Sequence, residues 1–294
     1  MKFELETCSI WEQGPRPKQE DSIYPAHNNA TTADRLFILC DGMGGHSSGE
    51  VASSTVCESF ARSIHSTCPE AEGDFTDDDF KAALIAAYEE LDKQDNGAAK
   101  KMGTTLTMLK FYKSGIAIAH IGDSRVYHIR PADTAEDTRI VFQTQDHSLV
   151  NDLLKIGELT PEEARNYPHK NIITRAMQPK MERRCKADLC RSADVQTGDY
   201  FMLCSDGILE QMEDTNIKYI FSNRTGDIQN KAELIKKLTA NNRDNHSAWL
   251  VRVVNVINDE AAPTEDTQNQ DTPTVSEKKN SSGGIFGYIS KLFK

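Results

Sequence analysis

The chain has 294 residues, 38% of them hydrophobic and 27% charged, with a net charge of −11; that is the make-up of a water-soluble protein with room for one large domain or two small ones. The acidity argues against nucleic acid as a partner, because the densest basic run, Arg183, Arg184 and Lys186, is too short to form a local patch. No stretch approaches the roughly 18 apolar residues of a membrane span, residues 1–10 lack a signal-peptide core, and the seven cysteines are scattered, so the expectation is a cytoplasmic protein with reduced thiols.

In chain order, the apolar run Leu36–Cys40 reads as a strand. Ala52, Val56, Phe60 and Ile64 recur every four residues behind Ser48, a candidate helix cap. Phe80, Leu84, Tyr88 and Leu91 repeat behind Asp77–Asp79, acids that suit the positive end of a helix. Strands are expected at Thr104–Phe111, Gly115–His120, Arg125–Ile129 and Arg139–Gln143. The first three lie too close together for helical crossovers and must pair antiparallel as a meander, which predicts an α+β fold. Thr160-Pro161-Glu162-Glu163 is a capping box with proline at the first helical position. A strand at Tyr200–Cys204, a helix near Ala232–Leu238 and a strand at Ala248–Ile257 complete the folded part, expected to be residues 1–258. Residues 259–284 are polar and almost free of apolar side chains, as in a disordered linker. In 285–294, Ile285, Tyr288, Ile289 and Leu292 fall at helical spacing beside Lys291 and Lys294. That amphipathic pattern suits docking on a membrane surface or a partner groove, and equally packing on its own domain.

Two segments share one layout: Leu36–Cys40 runs into Asp41–Gly42, and Tyr200–Cys204 runs through Ser205 into Asp206–Gly207. A strand end holds a carboxylate rigidly, and glycine lets backbone or ligand come close, although a lone Asp-Gly is an ordinary turn signal. More acids sit at strand boundaries: Glu20–Asp21, Asp123 within Gly122–Arg125, and Asp244–Asn245. Meeting in one cleft, they would suit Mg²⁺ or Mn²⁺, which take carboxylate, carbonyl and water oxygens. Pairs of such ions about 3.5–4 Å apart serve phosphoryl hydrolysis by holding and acidifying a water. Spread over separate turns, the same acids would only reverse the chain. Cys185 and Cys190, with no second ligand pair nearby, do not make a zinc site.

Eight segments together resemble, in order, the motifs of the type 2C (PPM-class) metal-dependent serine/threonine protein phosphatases. They are Gly14–Ser22 with Arg16 and Glu20-Asp21, Cys40–Glu50 with Asp41-Gly42 and Gly44-Gly45, Gly103-Thr104-Thr105, Gly122-Asp123-Ser124-Arg125, Asp146-His147-Ser148, Ile173-Thr174-Arg175-Ala176, Ser205-Asp206-Gly207 and Asp244-Asn245. The resemblance implies two packed antiparallel β-sheets flanked by helices, an αββα sandwich. It implies hydrolysis of phosphoserine and phosphothreonine on proteins with two or three Mn²⁺ or Mg²⁺ ions, opposing a serine/threonine kinase, in a bacterial-type member. By the same resemblance Asp41 bridges two metals, the Gly42 carbonyl takes one of them, Asp206 and Asp244 complete the centre, and Glu20 and Asp21 stand near it through bound water. Asp123, with Asp206, matches a third and weaker site, and Arg16 clamps the substrate phosphate, a role that suits the paired donors of a guanidinium. Catalysis then rests on Arg16, Asp41 and Asp206.

Blander roles are expected for the other motif residues. Gly103–Thr105 starts a core strand, Arg125 makes a local salt bridge, and Asp146, His147 and Ser148 order a flap. Gln19 replaces a more usual asparagine, His246–Ser247 replaces an apolar-threonine pair, and residues 187–200 match nothing specific. Met43 stands where some members carry a histidine acid; a thioether donates no proton, so a metal-bound water would have to serve the leaving group. Trp11 and Trp249 are read as core or flap-edge residues. Two other functions fit the same fold: a non-catalytic module that binds phosphoproteins, and a phosphatase for small metabolites.

Overall fold

Successive side chains in the apolar runs point to opposite faces, and here both faces are covered. In the computed structural model, which describes all residues except 45–47, 69–72, 166, 169–171 and 259–294, the chain forms two antiparallel sheets. The expected linker and C-terminal segment therefore lie outside the described residues. The first sheet contains β1 (Lys2–Glu12), β7 (Arg125–Arg130), β8 (Arg139–Gln143), β10 (Tyr200–Cys204) and β11 (His246–Ile257) in the order β1-β11-β10-β7-β8. The second contains β2 (Asp21–Tyr24), β3 (Leu36–Met43), β5 (Leu106–Tyr112), β6 (Gly115–Ile121) and β9 (Asp188–Ser192) in the order β2-β3-β5-β6-β9, with β4 (Gly103–Thr104) beside β3.

Phe37, Leu39, Leu109 and Phe111 of one sheet meet Phe201, Leu203, Trp249 and Val251 of the other in the central core. Phe37 and Trp249 make an edge-on ring pair at 5.4 Å, and Phe111 and Phe201 another at 5.5 Å. The alternate residues Leu36, Ile38 and Cys40 face outward to α1 (Ser48–Thr67) and α2 (Asp77–Lys93). On the far side Tyr200, Met202 and Cys204 meet α5 (Asp206–Leu209), α6 (Asp214–Phe221) and α7 (Ile228–Thr239). The αββα sandwich expected from the sequence is the fold found.

Several local expectations need correction. The strand expected at 104–111 is broken at Thr105, whose hydroxyl turns to the Asp41 N–H at 2.9 Å instead of continuing the ladder. β3 does not end before Asp41 but carries Asp41 and Gly42 within it. Ser48 is the first helical residue of α1 rather than a cap preceding it. Trp249 is core, but Trp11 is 42% exposed and donates its indole N–H to the Asp21 carbonyl at 3.0 Å. β1, β9, α3 (Leu149–Lys155) and α6 were not expected. The capping box at Thr160 forms as expected and opens α4 (Pro161–Arg165), with Thr160 and Glu163 bonding reciprocally.

Candidate active-site cleft and carboxylate centre

Five aspartates arrive from five separate elements. Register pairs Asp21 on β2 with Asp41 on β3. Asp123 sits in the turn between β6 and β7, Asp206 opens α5, and Asp244 precedes β11. Asp123, Asp206 and Asp244 line a cleft of about 560 Å³ together with Arg16, Arg125, Asp146, Ser148, Asn151 and Arg243. Asp21 and Asp41 complete the group: Asp41 lies within electrostatic reach of Asp21, Asp206, Asp123 and Asp244. Glu20 borders the group, with its carboxylate turned to Gly49 at the start of α1.

The local chain requires two of the glycines. A Cβ on Gly42 would lie 2.3 Å from the Gly49 carbonyl oxygen, and one on Gly207 would lie 2.0 Å from that of Asn245. Each Asp-Gly is thus a place where another backbone presses against the aspartate's own segment. Polar side chains hold the frame through the backbone. Thr104 donates its hydroxyl to the Asp41 carbonyl at 2.9 Å, and the Thr105 N–H donates to the same oxygen at 2.9 Å. Asn245 accepts from the Glu20 N–H at 2.9 Å and donates to the Gln13 and Lys18 carbonyls at 2.7 and 2.8 Å. It thereby ties the Arg16 loop to the start of β11. Ser205 donates to Asp21 Oδ2 at 3.0 Å.

Apart from the Ser205 bond to Asp21, these bonds hold the backbone and not the carboxylates. Asp123 Oδ1 is buried without a hydrogen-bond partner. Burial, then the charges of Asp206 and Asp146, push Asp123 up to about 7. Burial, then Asp21, Asp206, Asp123 and Asp244, raise Asp41 well above the usual carboxylate range. Burial and Asp244 raise Asp206, against the opposing pull of its contact with Asp41 and of its own helix backbone. Burial likewise raises Asp21, partly opposed by the hydroxyl of Ser205. A cation bound among these carboxylates would oppose each of these shifts by favouring the ionised form. An orphaned oxygen and an all-oxygen donor set fit hard divalent ions such as Mn²⁺ or Mg²⁺.

Arg16 lies at the rim, with Nη2 2.5 Å from Asp244 Oδ2; the two side chains are 47% and 35% exposed. So exposed a pair is worth about 1 kcal/mol or less, and a competing anion can open it. Sequence reasoning left Arg125 with a local partner. Instead it grips Asp146 in a two-pronged ion pair at 2.6 and 2.8 Å, and both residues line the cleft. Neither this pairing nor the bracing by Asn245 had a signal in the sequence beyond membership of the quoted motifs. Arg243, also on the cleft wall, had none.

The fold is thus an antiparallel αββα sandwich that gathers aspartates from five elements at one cleft, with an arginine at its rim. The chain belongs to the protein phosphatase 2C family, whose model matches residues 18–255. It is 34% identical over 212 residues to the serine/threonine protein phosphatase PstP of Mycobacterium tuberculosis, covering 69% of this chain and 36% of that protein. To the serine/threonine phosphatase stp of Listeria welshimeri it is 32% identical over 224 residues, 74% of this chain and 83% of the other. The chain thus spans about a third of the mycobacterial relative and most of the listerial one. The crystal structure of the PstP catalytic domain in complex with two manganese ions superposes with a TM-score of 0.68 at 28% identity, covering 86% of this chain and 100% of that one. Among the described residues, no helix is long and apolar enough to cross a membrane.

Proposed function

We propose that this protein hydrolyses phosphoserine and phosphothreonine on proteins with Mn²⁺ or Mg²⁺, that residues 1–258 are its catalytic domain, and that it opposes a serine/threonine kinase in the cytoplasm. The observation that carries the reading is the convergence of Asp21, Asp41, Asp123, Asp206 and Asp244 at one cleft, with Asp123 Oδ1 buried and unmatched. The manganese-bound PstP structure supports the choice of ion, and seven free cysteines suit a reducing compartment. The amphipathic spacing in 285–294, beyond the polar 259–284, supports a docking role for that segment on a partner or membrane surface.

Asp41, Asp206, Asp244 and the Gly42 carbonyl would hold two divalent ions, with Glu20 and Asp21 beside them; Asp123 with Asp206 would hold a third, weaker one. When bound, such ions offset phosphoryl charge and acidify an attacking water. Arg16 presents paired N–H donors to the phosphate, and its exposed contact with Asp244 is exchanged for the substrate at small cost. Arg125 and Asp146 neutralise each other and keep the cleft wall beside Asp123 rigid. Met43 supplies no proton, so none of the chain's residues at that place protonates the leaving alkoxide. Nothing in this scheme needs a covalent phosphoenzyme. The test is release of phosphate from a phosphothreonine peptide with Mn²⁺, with chelator, and against a sugar phosphate. Metal-dependent release from the peptide is expected. Turnover that survives chelation would overturn the metal reading, and preference for the sugar phosphate would overturn the substrate class.

A further inference from the structure

His120, His147 and Asp188 bring ligand-type atoms within 4.8 Å of one another beside, but outside, the carboxylate centre. Their geometry opposes a metal site. The imidazoles are stacked, with centroids 4.4 Å apart and planes 9° from parallel, so no ion can lie in both ring planes, where the nitrogen lone pairs point. Arg175 already supplies the cation, with Nη1 3.1 Å from Asp188 Oδ1 and 3.1 Å from His147 Nε2.

The hydrogen bonds instead fix one tautomer. The Gly122 N–H donates to His147 Nδ1 at 3.1 Å, so that nitrogen carries the lone pair and the proton stands on Nε2. Nε2–H then donates to Asp188 Oδ2 at 3.2 Å, and Arg175 Nη1, beside that ring nitrogen, donates to the other oxygen of the same carboxylate at 3.1 Å. The His147 N–H in turn donates to the Gly122 carbonyl at 2.9 Å, so one residue grips both backbone groups of Gly122. Gly122 has φ +108°, and a Cβ there would lie 2.5 Å from Thr105 Cγ2. The turn is therefore clamped between His147 and Thr105, and the Thr105 hydroxyl contacts both the Asp41 N–H and Ser124. On its other side His147 accepts the Thr174 N–H at 2.8 Å, next to the pairing of Leu149 N–H with the Ile172 carbonyl at 2.9 Å.

We propose that His147 is a positioning residue which, oriented by Asp188 and Arg175, fixes the Gly122–Asp123 turn and so aims the Asp123 carboxylate at the weakest of the divalent ions assigned above. The proposal rests on the metal reading of the cleft; His147 itself touches neither substrate nor ion. The experiment is a Mn²⁺ titration followed by electron paramagnetic resonance on the full chain. Wild type is compared with Asp123→Asn, His147→Asn and His147→Gln, with thermal melts as the folding control. Asn at 147 places an oxygen where Nδ1 stands and still accepts from Gly122; Gln reaches toward Asp188 but leaves the Gly122 N–H unmatched. The Mn²⁺ binding that Asp123→Asn removes should weaken about tenfold or more in His147→Gln and stay within about threefold in His147→Asn, the scale set by residues that orient metal ligands. Tighter binding should not change. Unaltered weak binding in a cooperatively melting His147→Gln protein overturns the proposal, as does equal damage by Asn and Gln. If His147→Gln does not fold, Asp188→Asn keeps the imidazole but removes its orienting charge. It should weaken the same binding, and no change there is equally fatal. Wild type that binds no Mn²⁺ at all defeats the metal reading instead, a result distinct from intact binding in every variant.

Discussion

Replacing Asp123 by asparagine should stabilise the metal-free protein, an unusual outcome for a residue in a polar cleft. The folded Asp123 carboxyl titrates at about 7 against an ordinary 3.8, because it is buried beside Asp206 and Asp146 and its Oδ1 has no donor. Between those values the folded state holds a proton that the unfolded chain has released. Stability therefore falls as pH rises through that window; the penalty is absent below about pH 4 and complete above about pH 7. A shift of about three units at ~1.4 kcal/mol each sets a ceiling of roughly 4 kcal/mol. Water entering the open cleft lowers this, and we expect about 1–3 kcal/mol in practice. Asparagine cannot ionise, and its amide can donate to the neighbouring carboxylates. Urea denaturation in chelator should then show Asp123→Asn more stable than wild type at pH 8 and level with it near pH 4. Mn²⁺ should narrow or reverse the pH 8 difference by neutralising the wild-type carboxylate. A variant no more stable than wild type at pH 8 in chelator, or one whose gain ignores pH, would refute the claim that unmatched charge burdens this site.

Asp206→Asn, which removes a charge beside Asp41 and Asp244, should lower turnover on a phosphothreonine peptide by on the order of 10²–10³-fold with an unchanged far-ultraviolet spectrum; near wild-type activity with Mn²⁺ present would contradict the site. Arg16→Ala should cost roughly 10–100-fold in kcat/KM, the scale of a charge-assisted hydrogen bond, and Arg16→Lys should recover only part because an ammonium lacks the fork; full recovery by lysine would mean that charge alone matters. Phe37→Ala should destabilise by about 3–5 kcal/mol in urea, since the ring is fully buried against Trp249; a loss under ~1 kcal/mol would mean that the two sheets rearrange to fill the space.

What the sequence disclosed follows from what each signal encodes. Leu36–Cys40 and Tyr200–Cys204 are visible because a strand covered on both faces is a continuous apolar run. β1 alternates exposed and buried residues only over Lys2–Leu5 and then loses the period, and its place beside β11 is set by pairing across the whole chain. β9 escapes for a similar reason: as an edge strand it is mostly solvent-facing, so Asp188–Ser192 shows little periodicity. The aspartates were legible one at a time as acids at strand boundaries. Their meeting was not, because it depends on Asp21 and Asp41 being register partners and on Asp206 and Asp244 flanking the adjacent ends of the paired strands β10 and β11. The Arg125–Asp146 pair and the Asn245 brace depend on the same long-range register, and no local spacing reports it.

The cleft divides its polar groups into two kinds. Threonine, serine and asparagine side chains satisfy the backbone around the aspartates: Thr104 and Thr105 at Asp41, Asn245 at Glu20. The protein's own cations stay at the edge, Arg16 on Asp244 and Arg125 on Asp146. Among the described residues, Asp21, Asp41, Asp123 and Asp206 have no ion-pair partner. A buried acid cluster kept only for stability would be matched from within, since an unpaired buried charge is among the costlier things a fold can carry. Here the frame is rigid and the acids are left to be neutralised by protons or, on the reading proposed above, by bound divalent ions. A site built to receive divalent ions has that character, and the same imbalance is why removing a single one of its charges should strengthen the metal-free fold.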